Sequence, residues 1–285
     1  MGKRSVRNGV LIALGALLIA IISLFVVLRV KSVEPTYPIT EKWLTHPDSI
    51  IIQTDSIIGP IVYHGNPDMR QVKGDKRKEL FINMMLPSIL LAQHKVRAER
   101  EKIESYWQRA EKGTASLNDS MKIDSILSYY KCKHLEEVVN NLHNHPISIV
   151  LSQAAIESGW GTSRFFLEAN NVFGIWSYNK KEDRIRAFET RGDNAIYLRK
   201  YNDLHGSVYD YLITISRASA YKKFREVRMT SDDPYELIQY LVNYSELREE
   251  YVKILGKVIR HNQLTQYDSF QLLNPDKNDP VWQSL

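Results

Sequence analysis

Cysteine is nearly absent: Cys132 is the only one among 285 residues, so no intrachain disulfide staples the fold. It is expected to serve as a small buried hydrophobe. Acidic residues are missing from the first 31 positions, which hold five basic ones. That segment accounts for the whole formal charge of +5, and the rest balances 33 basic against 33 acidic side chains. Such a neutral remainder excludes the basic footprint of a nucleic-acid-binding protein. The three neighbouring histidines, His134, His143 and His145, lack the i, i+4 spacing of a helical metal site, and no cysteine joins them. They are read as solvated or capping residues, with no metal and no organic cofactor expected.

Charge is also absent from Gly9 to Leu28, an apolar run of twenty residues. As a helix this run crosses a hydrocarbon core of roughly 30 Å. It ends in Arg29-Val30-Lys31 with no small-residue cleavage site and no lipobox cysteine, so an uncleaved single-pass anchor is expected over residues 1–31, with a cleaved signal segment as the alternative. Lys3, Arg4 and Arg7 precede the run, which puts the N-terminus inside and the bulk of the chain outside. With 44% apolar residues, the exported part has enough to build a core without staples.

Residues 32–75 carry five prolines and three glycines and read as an extended spacer, with two short β-prone runs, 49–53 and 56–63. From residue 76 to 115 the spacing of Leu80, Phe81, Met84, Met85, Ile89, Leu90, Val96 and Ile103 predicts a helical extension, kinked or restarted at Pro87. Two short helices are predicted at 123–130 and 135–142. Alternation over 183–190 and 194–201 around Gly192-Asp193 predicts a β-hairpin. Asp203 should cap a helix over 204–217, and Asp233-Pro234-Tyr235-Glu236 starts another that runs on through Tyr244. The longest late stripe, Leu247, Tyr251, Ile254, Leu255, Val258 and Ile259, predicts a helix over 246–264. A polar, frayed tail is expected over 271–285. Periodicity alone thus gives a mainly α chain with one small hairpin.

Chemistry concentrates at 146–176. Pro146 opens an apolar helix from Ile147 that ends on a single carboxylate, Glu157, before Gly159-Trp160-Gly161. Burial and the negative helix end both raise the pKa of such a carboxyl group. A carboxylic acid protonated near neutral pH is what a glycosidase needs to protonate a leaving oxygen. Trp160 and Trp176 offer aromatic surfaces for sugar rings.

Ala154-Ala155-Ile156-Glu157-Ser158-Gly159-Trp160-Gly161-Thr162-Ser163, followed by Asn170-Asn171-Val172-Phe173-Gly174, resembles the signature of bacterial glucosaminidase domains. These are peptidoglycan hydrolases of glycoside hydrolase family seventy-three, and the similarity is to their Bax-like branch. The resemblance implies a lysozyme-like catalytic domain over 116–270 and an endo-β-N-acetylglucosaminidase acting on peptidoglycan glycan strands. It implies Glu157 as catalytic acid and Asn170 and Asn171 shaping the substrate cleft. It further implies Glu189 on the hairpin as second carboxylate (with Glu182, Asp183 and Asp193 competing), Tyr221 and Tyr244 in the cleft, and a periplasmic catalytic domain on the cell inner membrane. Two other readings stay open: a lytic transglycosylase-like cutter on the same fold, and a non-catalytic wall-binding scaffold. Should no second acid reach Glu157, the substrate's own 2-acetamido group is a further candidate nucleophile.

Overall fold

The computed structural model describes residues 35–191 and 194–285. The anchor expected at 1–31 and the turn residues Gly192-Asp193 lie outside these, so the described helices neither support nor oppose the anchor. Among the described residues no helix is long and apolar enough to cross a membrane. Inter-residue contacts set Met1–Thr36 apart from a unit spanning Tyr37–Leu285.

The Tyr37–Leu285 unit is mainly helical with three two-stranded sheets. In chain order it contains β1 (Thr40–Trp43), β2 (Ile57–Ile58), β3 (Ile61–His64), α1 (Gly74–Glu111), α2 (Leu117–Tyr130), α3 (Leu135–Asn141) and α4 (Ile147–Ser158). Then come α5 (Arg164–Ala169), β4 (Arg184–Arg191), β5 (Asn194–Arg199), α6 (Leu204–Arg217), α7 (Lys222–Arg228), α8 (Pro234–Leu237), α9 (Glu249–His261), β6 (Gln271–Leu272) and α10 (Pro280–Ser284).

The spacer expected at 32–75 is corrected from Tyr37 onward. β1 pairs in parallel with β3, and Leu44, Ile50, Ile58, Ile61, Tyr63 and Met69 are buried in the main core. A tether has no reason to bury six large apolar side chains. The tail is corrected for the same reason: β6 pairs with β2, Tyr37 N–H donates to Asn274 O at 2.9 Å, and Trp282 packs on Ile39, Val62 and Leu91. The segment after Tyr37 and the C-terminal residues are thus tied to each other.

α1 runs through Pro87 as one helix of 38 residues rather than breaking there. Every residue from Leu80 to Gln93 is buried, so packing on all sides offsets the missing backbone bond. The late helix is shorter than expected: Leu247 is 57% exposed and outside it, and Arg248 adopts φ 51°. The helix begun at Pro234 gives way to a 3-10 turn at Ile238–Leu241, so Tyr244 stands beyond it.

α4 is the centre. Ten of its twelve residues are buried, the signature of a helix apolar all round. Pro146 sits one place earlier than expected, at the N-cap, and offers no side-chain bond. Asp268 supplies it from 120 residues away: its carboxylate accepts from Ser148 N–H at 2.7 Å and from Ser148 Oγ at 2.8 Å. Gly159 closes the helix at φ 58°.

Candidate active site

Three consecutive residues after α4 are left-handed: Gly159 at φ 58°, Trp160 at φ 57° and Gly161 at φ 78°. A non-glycine residue there stores strain, which concentrates at functional sites. Ser158 holds the turn, donating to Ala154 O at 2.6 Å while accepting from Gly161 N–H at 3.0 Å. Gly161 must be glycine for space too, since a Cβ would lie 3.1 Å from Phe81 and 3.2 Å from Met69. The turn sends the Trp160 ring edge-on against Phe81, with centroids 5.7 Å apart. Trp160 is half-buried, so one part of its ring anchors the turn and the remainder is accessible.

Glu157, the last side chain but one before this turn, is half-buried. Its Oε1 accepts a 2.8 Å hydrogen bond from Tyr251 Oη. Burial raises its pKa above the ordinary carboxylate value, and the Tyr251 bond partly opposes that rise. A tyrosine cluster surrounds it. Tyr244 stacks on Tyr251 with centroids 5.5 Å apart and planes at 11°, and Tyr221 lies 6.2 Å from Tyr244. Burial, then the Glu157 charge, raises the phenol pKa of Tyr221; at Tyr244 burial and Tyr251 act ahead of Glu157. The structure therefore brings Glu157, Tyr221 and Tyr244 together, and adds Tyr251, which sequence reading left to the core. No local signal marked it, because Tyr244 lies outside the helix that carries Tyr251.

The two asparagines act differently from a substrate contact. Asn171 is 1% exposed. Its amide donates to Ile175 O and Arg199 O at 2.9 Å each and accepts from Ile175 N–H, so both its hydrogens are committed and burial withholds the remaining lone pair from a sugar. Asn170 caps α5 at φ 50°, donates to Tyr201 O at 2.7 Å and accepts from Asn66 at 2.5 Å. Asn171 positions the 171–177 loop while Asn170 ties the end of α5 to Tyr201 and Asn66, and the expectation of substrate binding is corrected for Asn171. That loop pairs along β5, with Ser177 N–H donating to Tyr197 O at 2.7 Å. Trp176 is thereby carried to the hairpin's edge, bridging Leu198, 38% exposed and 6.1 Å from Tyr178.

Glu189 lies on β4 where the register breaks. Arg186 pairs with Tyr197, but Thr190 pairs with Ala195, so extra residues bulge from β4 between them. The Glu189 side chain itself lies outside the described side chains. Of its competitors, Glu182 faces Arg199, 3.4 Å away.

A half-buried carboxyl group at the end of a core helix, beside a tyrosine cluster, agrees with a glycoside hydrolase domain. The glucosaminidase family model, described as mannosyl-glycoprotein endo-beta-N-acetylglucosaminidase, matches residues 132–264. Residues 132–264 are similar to that family, over just under half of the chain. The Escherichia coli (strain K12) Protein bax is 28% identical over 170 residues, which cover 57% of this chain. The chain spans 59% of the length of that relative. The catalytic domain of the Listeria monocytogenes autolysin Auto is 25% identical, with 58% of this chain and 97% of that one covered at a TM-score of 0.38. A peptidoglycan hydrolase from Sphingomonas sp. A1 is 22% identical, with 46% and 85% covered at 0.36.

Proposed function

We propose that this protein is a membrane-anchored peptidoglycan hydrolase, an endo-β-N-acetylglucosaminidase that cuts the glycan strand after N-acetylglucosamine. One observation carries the reading: Glu157, the only carboxylate on the buried α4, has its pKa raised by burial and is held by Tyr251 within the glucosaminidase-matched region. A protonated Glu157 gives its proton to the glycosidic oxygen as the bond from that oxygen to the anomeric carbon breaks. Glu189, in the β4 bulge, stabilises the positive anomeric centre or activates the water that adds to it. Tyr221, Tyr244, Trp160 and Trp176 line the sugar path. Residues Gly9–Leu28 hold the protein in the cell inner membrane, with the catalytic domain in the periplasm.

The test is digestion of purified peptidoglycan by the full-length protein and by Glu157→Gln, with borohydride reduction and mass spectrometry of the fragments. Reduced N-acetylglucosamine ends, lost in the variant, are the expected result. Anhydro-muramyl ends would reassign the protein to transglycosylase chemistry. Wall binding without products from either form would leave only a scaffold.

A further inference from the structure

Behind Glu157 the buried polar side chains join into one chain. His145 Nε2 lies 3.0 Å from Tyr211 Oη, and Tyr211 Oη donates to Gln153 Oε1 at 2.6 Å. Gln153 Nε2 donates to Tyr251 Oη at 3.3 Å, and Tyr251 Oη donates to Glu157 Oε1 at 2.8 Å. His145, Tyr211, Gln153 and Tyr251 are all buried, so bulk water does not compete for these bonds. Gln153 and Glu157 are four apart on α4, which sets both on one face.

The chain has a direction. A phenol carries one proton. Tyr211 commits its proton to Gln153, so its oxygen accepts from His145, which must hold a proton on Nε2. Tyr251 likewise accepts from Gln153 and donates to Glu157. Reversing every bond would require Glu157 to donate to Tyr251 and His145 to carry its proton on Nδ1. That nitrogen is buried with no partner among the described residues. An orphaned buried N–H is costlier than an orphaned lone pair, so His145 sets the direction. Burial first, and then the charge of Arg228, keeps this imidazole neutral.

We infer that His145, Tyr211 and Gln153 are positioning residues that reserve Glu157 Oε1 as an acceptor and so place the transferable proton on Oε2. The inference rests on the reading of Glu157 as general acid. When the proton leaves Oε2 for the glycosidic oxygen, the new carboxylate keeps its bond from Tyr251, which stabilises the charged form. Other titratable groups couple to this array: the Glu157 charge acts on Tyr221 and Tyr244, and Arg228 of α7 acts on His145 and Tyr211. None of these is altered in the variants below.

The experiment is a pH–rate profile on peptidoglycan for the full-length protein, with kcat and KM separated and thermal unfolding recorded. Tyr211→Phe keeps the ring stacked on Phe173, at 4.2 Å between centroids, but removes both hydrogen bonds. Gln153 is then free to turn its oxygen to Tyr251, and Glu157 loses its donor. The expected result is a kcat lower by about tenfold with KM unchanged, and a basic limb moved up by as much as about one pH unit, since a lost bond to the charged form raises an acid's pKa. His145→Leu should shift the limb the same way by less, and His145→Gln, which retains an N–H donor, should restore the original profile. If Tyr211→Phe does not fold, NMR titration of the Glu157 carboxyl carbon in the two His145 variants reads the same shift. Limbs and carboxyl titrations that superimpose on the unaltered protein overturn the inference while leaving Glu157 as the acid. An active Glu157→Gln protein overturns the reading beneath it instead.

Discussion

The two carboxylates proposed for catalysis belong to elements built from opposite materials. Glu157 belongs to a helix with ten buried residues of twelve, braced by a buried hydrogen-bond chain and capped from Asp268. Glu189 belongs to a bulged hairpin whose neighbours reach into solvent, with Phe188 87% and Tyr178 81% exposed. The difference follows from the chemistry proposed for each. An acid must stay protonated, which demands desolvation and therefore the core. Its partner must meet water and a long polymer, which demands an open edge. Rigid scaffold and adaptable rim are thus divided between α4 and the β4–β5 hairpin.

The strongest way to break this comparison is Glu157→Gln. Activity on peptidoglycan should fall by roughly 10²–10⁴-fold, the usual contribution of a general acid. The same variant should be the more stable protein at neutral pH. Burial raises the Glu157 pKa in the folded state above its ordinary value of 4.5. Its favourable contribution to stability is therefore complete below that value and lost as pH rises through the folded pKa. Urea unfolding at neutral and acid pH checks the sign; a stability advantage of the Glu157→Gln variant that grows on acidification would refute it.

Glu189→Gln probes the other side, with an expected loss of about 10–100-fold in kcat and no change in unfolding midpoint. Retained activity would remove Glu189 from the mechanism and point to the substrate's own acetamido group. Asp268→Ala tests the acid side without touching the chemistry. Losing the cap of α4 should cost about 1–2 kcal/mol in chemical unfolding, since caps and charged hydrogen bonds are worth that much. Smallest is Phe188→Ala, where exposure limits the stability change to within about 0.5 kcal/mol. A larger loss would mean that the hairpin is part of the core and would erase the contrast.

Elements with local causes were legible in the chain. Asp203 and the stripe from Leu204 to Ile215 predicted α6 with the bounds observed, and the alternation around Gly192 predicted the hairpin to within a residue or two. Glu157 was singled out because the stretch around it resembles the glucosaminidase signature; on residue type alone, a lone carboxylate at a helix end is an ordinary solvated residue. What failed did so for non-local reasons. The stretch after Tyr37 looked like a tether because prolines dominate it, yet its few apolar residues find their partners on α1 and near the C-terminus. Asn171 looked like a binding residue, but its bonds go to Ile175 and Arg199. Tyr251 was one tyrosine among sixteen until folding set its hydroxyl against Glu157.

Sequence alone determined the helix that ends in Glu157, the glycine-bracketed turn, the hairpin and the charge-free run near the N-terminus. These depend on spacing, chirality and composition within a dozen residues. Only the tertiary structure decided which oxygen of Glu157 is held, which helix supplies the holder, and where the catalytic helix finds its cap. Hydrogen bonds between groups 58 to 120 residues apart leave no periodic trace in a chain, because they form only after the core has brought their backbones together.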